Sequence, residues 1–195
     1  MKKTARGFLF IVSGPSGVGK GTIRQELLGR YGDLDYSVSA TTRKPRPGEV
    51  HGKDYFFVSQ EEFQELLRND ALLEWAKVYD HFYGTPEQYV ESLLTAGKDC
   101  ILEIDVQGAL QVKRKKPESI LIFIAPPSKE ELIRRITYRG TESRDEIEKR
   151  MQKVEGETQH LHEYNYRVVN EDLEKAVESI RAIIIAERCR VNQSK

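Results

Sequence analysis

Along this chain, short apolar runs alternate with apolar stripes at helical spacing. Phe8 to Val12 is an unbroken apolar run; Ser13-Gly14-Pro15-Ser16-Gly17-Val18-Gly19 follows, and then Ile23, Leu27 and Leu28 line one helical face. This reads as strand, loop, helix. The rhythm returns with a strand over Cys100–Ile104, a helix over Val106–Lys115, a strand over Ile120–Ala125 and a helix over Ser128–Arg139. Tyr166–Val169 and Leu173–Ala186 supply a last strand and helix. Such alternation predicts an α/β fold whose parallel sheet is covered by helices on both faces.

Two stretches break the rhythm. Tyr36–Ala40, Asp54–Val58 and Leu72–Val78 are strand candidates joined by a Pro/Gly loop and a helix, which predicts an inserted α+β lobe. From Pro126 to about His162 the pattern becomes two polar, charge-rich helices broken at Gly140-Thr141, with few apolar residues to fix them to a core. This second insertion is expected to be a mobile helical lid. The single domain 1–195 then divides into a core (about 1–36, 98–125 and 164–195), an inserted lobe (about 37–97) and a lid (about 126–163). Capping boxes mark helix starts at Ser59 with Glu62, Thr85 with Gln88 (Pro86 in the first turn), Ser128 with Glu131, and Ser143 with Glu146.

Composition narrows the function classes. With 31 Lys+Arg against 31 Asp+Glu the net charge is zero, so bulk charge offers a polyanion no attraction and nucleic acid is not the expected partner. The charges, 32% of residues, are interspersed with 7 Phe, 1 Trp and 9 Tyr, a composition that folds. Two cysteines, Cys100 and Cys189, make no disulfide framework and fit a reducing compartment, the cytoplasm. The apolar run behind Lys2, Lys3 and Arg6 falls short of the usual ~7–15 residues of a secretory leader. No run approaches the ~18 apolar residues of a membrane span, and nothing demands an obligate protein partner.

Gly14-Pro15-Ser16-Gly17-Val18-Gly19-Lys20 fits G-x-x-x-x-G-K, in which small residues let backbone N–H groups wrap a phosphate at a helix start and the Lys reaches the β/γ-phosphates. Together with Gly21 and Thr22 it is the expected nucleoside-triphosphate site, and hydrolysis of GTP or ATP and phosphoryl transfer all remain open to it. The position that usually offers Mg²⁺ a hydroxyl is Gly21, with Thr22 next, so the direct metal ligand stays open. In the lobe, Arg43, Arg46 and Tyr55 share a proline-stiffened loop suited to clamping a second phosphate. An NTP on one loop and a phosphate on another suggest a kinase. Asp105-Val-Gln-Gly108 after a strand also fits the D-x-x-G switch of GTPases, but no N-K-x-D segment accompanies it.

Seven segments in order, GPSGVGKGT, SVSATTRKPRPGE, GKDYFFV, LLEWAKVYDHFYGTP, CILEIDVQG, FIAPPS and RGTES, resemble the guanylate kinase family, and the resemblance extends from about Gly7 to Ile185. The resemblance implies an ATP:GMP phosphotransferase, also accepting dGMP, with ATP and Mg²⁺, working by direct in-line transfer. It implies guanine contacts at Ser39, Glu74, Thr85 and Asp105, a GMP-phosphate clamp of Arg43, Arg46, Tyr55 and Tyr83, and lid arginines Arg135, Arg139 and Arg150 that join Lys20 and Arg43 in catalysis. The chemistry agrees: guanine presents N1–H and a 2-amino group as adjacent donors, which carboxylates accept, whereas adenine offers an acceptor at N1. Plainer readings stand beside these roles. Arg43 and Arg46 fit solvated loop charges, Glu74 an exposed strand position, Thr85 a helix cap, Tyr55 and Tyr83 packing aromatics, and the lid arginines ion pairs with Glu130, Glu131 or Glu146. Asp105 also suits a carboxylate near Mg²⁺, and Glu103 sits where an Asp is commoner in the family. The rival functions are a kinase of the same architecture with another phosphorylated acceptor, and a non-catalytic scaffold module. Lobe and lid are expected to close over the phosphates and exclude water.

Overall fold

The computed structural model describes residues 6–78, 80–137 and 144–191, the last stretch without the side chains of 144–147 and 149. In chain order the elements are β1 (Leu9–Ser13), α1 (Lys20–Arg30), β2 (Leu34–Tyr36), β3 (Ala40–Thr41), β4 (Phe56–Phe57) and α2 (Gln60–Arg68). Then come β5 (Leu72–Val78), β6 (His81–Pro86), α3 (Glu87–Thr95), β7 (Asp99–Glu103) and α4 (Val106–Lys115). The chain ends with β8 (Ile120–Ala125), α5 (Lys129–Thr137), α6 (Arg144–Thr158), β9 (Tyr166–Val169) and α7 (Leu173–Arg188).

The chain divides into two compact units. One, the P-loop unit, comprises Phe10–Gly32, Glu103–Val106 and Ile120–Lys195. Here β8 pairs in parallel with β1 (Ile11 opposite Leu121) on one side and β9 (Ile124 opposite Val168) on the other. Every residue of β1 and β8 is buried, which is why both read as continuous apolar runs: a parallel strand covered on both faces has no solvent side. The last helix, α7, buries Ala176, Val177, Ile180 and Ile184, at the i, i+4 spacing of one apolar face. Its Asp172 cap accepts from the Lys175 N–H at 2.9 Å.

The other unit comprises the described part of Met1–Leu9 with Asp33–Leu102 and Gln107–Ser119. It contains the parallel pair β2 and β7 and a four-stranded sheet in the order β4-β3-β6-β5, where β6 runs antiparallel to both its neighbours. Helix α2 packs Phe63, fully buried, on this sheet, its ring stacked 5.4 Å from that of Phe82. Ala40 and Leu72 complete this small core.

Three expectations need correction. The strand expected over Tyr36–Ala40 is two strands in two sheets: the Ser37 N–H donates to Ile101 O of β7, while Ala40 pairs with Phe56 and Gly84. One alternating segment, Tyr36-Ser37-Val38-Ser39-Ala40, serves two partners, so the backbone turns between them. Strand β6 has no counterpart among the expected strands because Gly84 and Pro86 weaken a strand signal. Thr85 is no helix cap. It lies within β6, α3 begins at Glu87, and the cap residue Pro86 offers no side-chain bond. The Ser59–Glu62 box forms in full, whereas at Ser128 only half forms: Ser128 Oγ accepts the Glu131 N–H while the Glu131 carboxylate turns to arginines. The break at Gly140-Thr141 and Ser143 of the fourth capping box lie outside the described residues. No described helix is long and apolar enough to cross a membrane.

Candidate active site

Three glycines at positive φ, Gly14, Gly17 and Gly19, carry the chain from β1 into α1. Gly19, the α1 cap, has φ 91°, and a Cβ there would stand 2.6 Å from the Asn170 side-chain nitrogen. Only glycine fits that position without strain. Asn170 in turn donates to Val18 O at 2.7 Å and is 7% exposed, so a residue just beyond β9 braces the loop from behind. From this turn Lys20 folds back, its ammonium donating to Gly14 O at 2.6 Å and Pro15 O at 3.0 Å. Burial lowers its pKa, and the carboxylates of Glu103, Glu157 and Asp105 oppose that shift. The site therefore holds a cation that is poor in water and ready to exchange carbonyls for an anion. Its other side is walled by α5, whose buried Leu132 and Ile136 approach Gly17.

Among the described residues no group of three or more His, Cys, Asp or Glu is able to hold a metal by itself. Mg²⁺ asks less: it keeps several waters and takes one or two carboxylates alongside substrate phosphates. The absent side chain of Gly21 leaves such a place. A Cβ built there lies 3.6 Å from Glu103 Oε1 and 3.9 Å from Oε2, so the Glu103 carboxylate stands where a shorter acid would leave a gap. Arg24 pairs with it at 3.5 Å. The residues present fit an ion delivered with a nucleotide.

In the second unit, the loop after β3 folds around a carboxylate to which the sequence alone assigns no role, Glu49. It takes both Arg43 guanidinium nitrogens, at 2.8 and 2.9 Å, and the Arg46 backbone N–H at 2.7 Å. These donors, Arg43 first, pull the Glu49 pKa down to about 2. Arg43 lies 5.4 Å from the Tyr55 ring centre, Tyr83 helps to keep it charged, and the two tyrosine rings meet edge-on at 6.0 Å. Arg43, Tyr55 and Tyr83 are thus brought together, with Arg43 anchored rather than solvated. The Arg46 side chain is exposed.

Glu74 on β5 and Thr85 on β6 also meet. Thr85 Oγ1 donates to Glu74 Oε1 at 2.6 Å, and the two residues are 8% and 0% exposed. Burial rules out the reading of Glu74 as an exposed strand residue. A buried carboxylate with about four lone-pair sites accepts more than one hydroxyl. Half-buried Ser39 leads into β3, its carbonyl taking the Phe56 N–H at 2.9 Å. Asp105 is exposed at the β7–α4 turn and belongs to the P-loop unit.

The lid arginines diverge. Arg135 is held by Glu131 at 2.7 Å and donates to Asn170 O at 3.0 Å, so the ion pair expected as its plainer role does form. Arg134 takes the same carboxylate, and together the two arginines lower the Glu131 pKa to about 2. Arg150 is exposed on α6. Arg139 lies outside the described residues.

The guanylate kinase family model matches residues 6–187. The chain belongs to the guanylate kinase family. It is 57% identical to the guanylate kinase of Caldanaerobacter subterraneus subsp. tengcongensis, over 97% of this chain and 92% of that one, and 53% identical to that of Syntrophomonas wolfei, over 95% of each. A crystal structure of guanylate kinase from Anaplasma phagocytophilum superposes with a TM-score of 0.74 at 35% identity, covering 96% of this chain and 89% of the other.

Proposed function

We propose that this protein transfers the γ-phosphoryl group of ATP to GMP, giving ADP and GDP. The observation that carries the choice of acceptor is the buried Glu74–Thr85 pair in the unit that also clusters Arg43, Tyr55 and Tyr83. A carboxylate there accepts from guanine N1–H and the 2-amino group, and adenine would set its own N1 lone pair against it. Ser39 and Asp105 join this recognition. Arg43, Arg46, Tyr55 and Tyr83 hold the GMP phosphate, and dGMP is accepted because none of these roles needs the 2′-hydroxyl.

The reaction needs no protein nucleophile. A GMP phosphate oxygen attacks the γ-phosphorus, the new P–O bond forms as the bond to the β-phosphate oxygen breaks, and ADP carries away the electron pair. The enzyme's work is alignment and charge neutralisation. Residues Gly14 to Thr22 bind ATP, and Lys20 leaves the Gly14 and Pro15 carbonyls for the β/γ-phosphates. Arg135, Arg139 and Arg150 neutralise the equatorial oxygens of the transferred group, Arg135 exchanging Glu131 for phosphate. Mg²⁺, when bound, offsets charge on the β/γ-oxygens. Glu103, beside Gly21, is the residue to hold it. Free Cys100 and Cys189 are compatible with a cytoplasmic setting.

A coupled ADP-release assay across nucleoside monophosphates tests this. GMP should be the best acceptor and AMP at least about a hundredfold worse in kcat/KM, because a mismatched base leaves a buried carboxylate unpaired. Glu74→Gln should sharply raise the KM for GMP while sparing that for ATP. Equal use of GMP and AMP would overturn the assignment.

A further inference from the structure

The aim of Glu74 depends on an irregularity in its strand. Leu72 pairs with Pro86 and Trp75 with Gly84, so Leu73 and Glu74 together stand opposite Thr85 alone. This is a β-bulge, which adds one residue to one strand and redirects the side chains there. Gly84 makes room for it, since a Cβ at that position would lie 2.9 Å from Glu74 O. Among the described residues β5 has β6 as its only strand neighbour in this sheet, so no described strand ladders onto the outer edge of the bulge to hold its register.

Helix α4 supplies the missing partner. Gln111 Oε1 accepts the Trp75 N–H and Gln111 Nε2 donates to Trp75 O, both at 3.2 Å, as a neighbouring strand would do. Four residues on, and so on the same helix face, Lys115 Nζ donates to Leu72 O at 2.7 Å and pairs with Asp70. The two side chains grip the backbone on either side of the bulge.

We propose that Gln111 and Lys115 are positioning residues for guanine specificity, holding from α4 the bulge that points Glu74 at Thr85 and at the base. The inference rests on the reading of Glu74 as a guanine contact. Neither residue touches substrate. Their loss frees the edge of β5 to slip towards regular pairing, which swings the Glu74 carboxylate away from Thr85.

Gln111→Met keeps length and removes both hydrogen bonds; Lys115→Met removes the second grip. Each should raise the KM for GMP about tenfold and narrow the preference for GMP over IMP, with the KM for ATP and the kcat at saturating GMP within about twofold of the parent. Lys115→Arg, which keeps a donor, should restore most of the GMP affinity. Trp75, the only tryptophan and 42% exposed, reports GMP binding by fluorescence without turnover. In a Glu74→Gln background Gln111→Met should add nothing to the GMP KM, because the group being aimed has already lost its charge. A lower melting temperature with unchanged GMP affinity and an unchanged GMP:IMP ratio in both methionine variants would overturn the proposal. If Glu74→Gln itself leaves GMP use untouched, the guanine reading of Glu74 fails first.

Discussion

Around Lys20 the chain shapes its proposed anion site from its own backbone, whereas around Arg43 it shapes the second proposed site from side chains. The first is a turn fixed by Gly19 at φ 91°, an asparagine behind it and a lysine resting on two carbonyls. The second is a guanidinium held by Glu49, next to two tyrosines. Backbone amides tolerate little change of shape but do not titrate. A side-chain site is adjustable, and its geometry depends on an ionised carboxylate. The contrast suits a donor that always presents the same triphosphate and an acceptor that has to be told from its relatives.

The largest expected effect tests the one charge that the backbone site does carry. Lys20→Met should reduce turnover by at least about a hundredfold with the fold intact, since the ammonium opposes charge on the phosphates as the β–γ bond breaks. Circular dichroism checks the fold. Near-normal turnover from a folded variant would mean that the loop amides suffice, and the contrast would have lost its P-loop half.

A smaller effect tests the shape of the same site. Gly19→Ala forces a Cβ into the left-handed region and 2.6 Å from Asn170. The strain should cost about 1–3 kcal/mol, seen as a fall of several degrees in Tm and as weaker ATP binding with GMP binding unchanged. Asn170→Ala should relieve the collision in the double variant but not the backbone strain, so the stability should recover only in part. Full recovery would show that the clash, and not φ, fixes the residue at position 19.

The two sites are unequally legible in the sequence, and for a physical reason. A backbone site must place glycines at fixed intervals along one short segment, so Gly14 to Lys20 stands out from residue order alone. The clamp arginines are legible as residues, but the partner of Arg43 is not, because Glu49 reads as one more charge in a polar loop. Asn170 lies 152 positions from the Val18 carbonyl it braces, beyond the reach of any local pattern. The parallel strands declare themselves as apolar runs, while β6, punctuated by Gly84 and Pro86, does not. Thr85 has the spacing of a cap, and what overrides it is Glu74, a buried carboxylate that requires a donor. The bulge that aims Glu74 is one extra residue in a strand, a feature that hydrophobic alternation does not register.

The smallest expected effect tests the titratable half of the contrast. The folded-state pKa of Glu49 is depressed from 4.5 to about 2 by Arg43 and the Arg46 N–H. A depressed carboxylate contributes stability that is fully present above its unfolded value, and this contribution fades as the pH falls from about 4.5 towards 2. Glu49→Gln lacks it at every pH. The Tm difference between parent and variant should therefore be constant from neutral pH down to about 5 and shrink through the window below. At neutral pH the variant should also bind GMP about two- to fivefold more weakly, the scale of a solvent-screened ion pair, with ATP binding unchanged. A Tm difference that stays constant into the acid range would show that Glu49 acts on the loop by shape rather than by charge. The acceptor clamp would then be as indifferent to protonation as the P-loop.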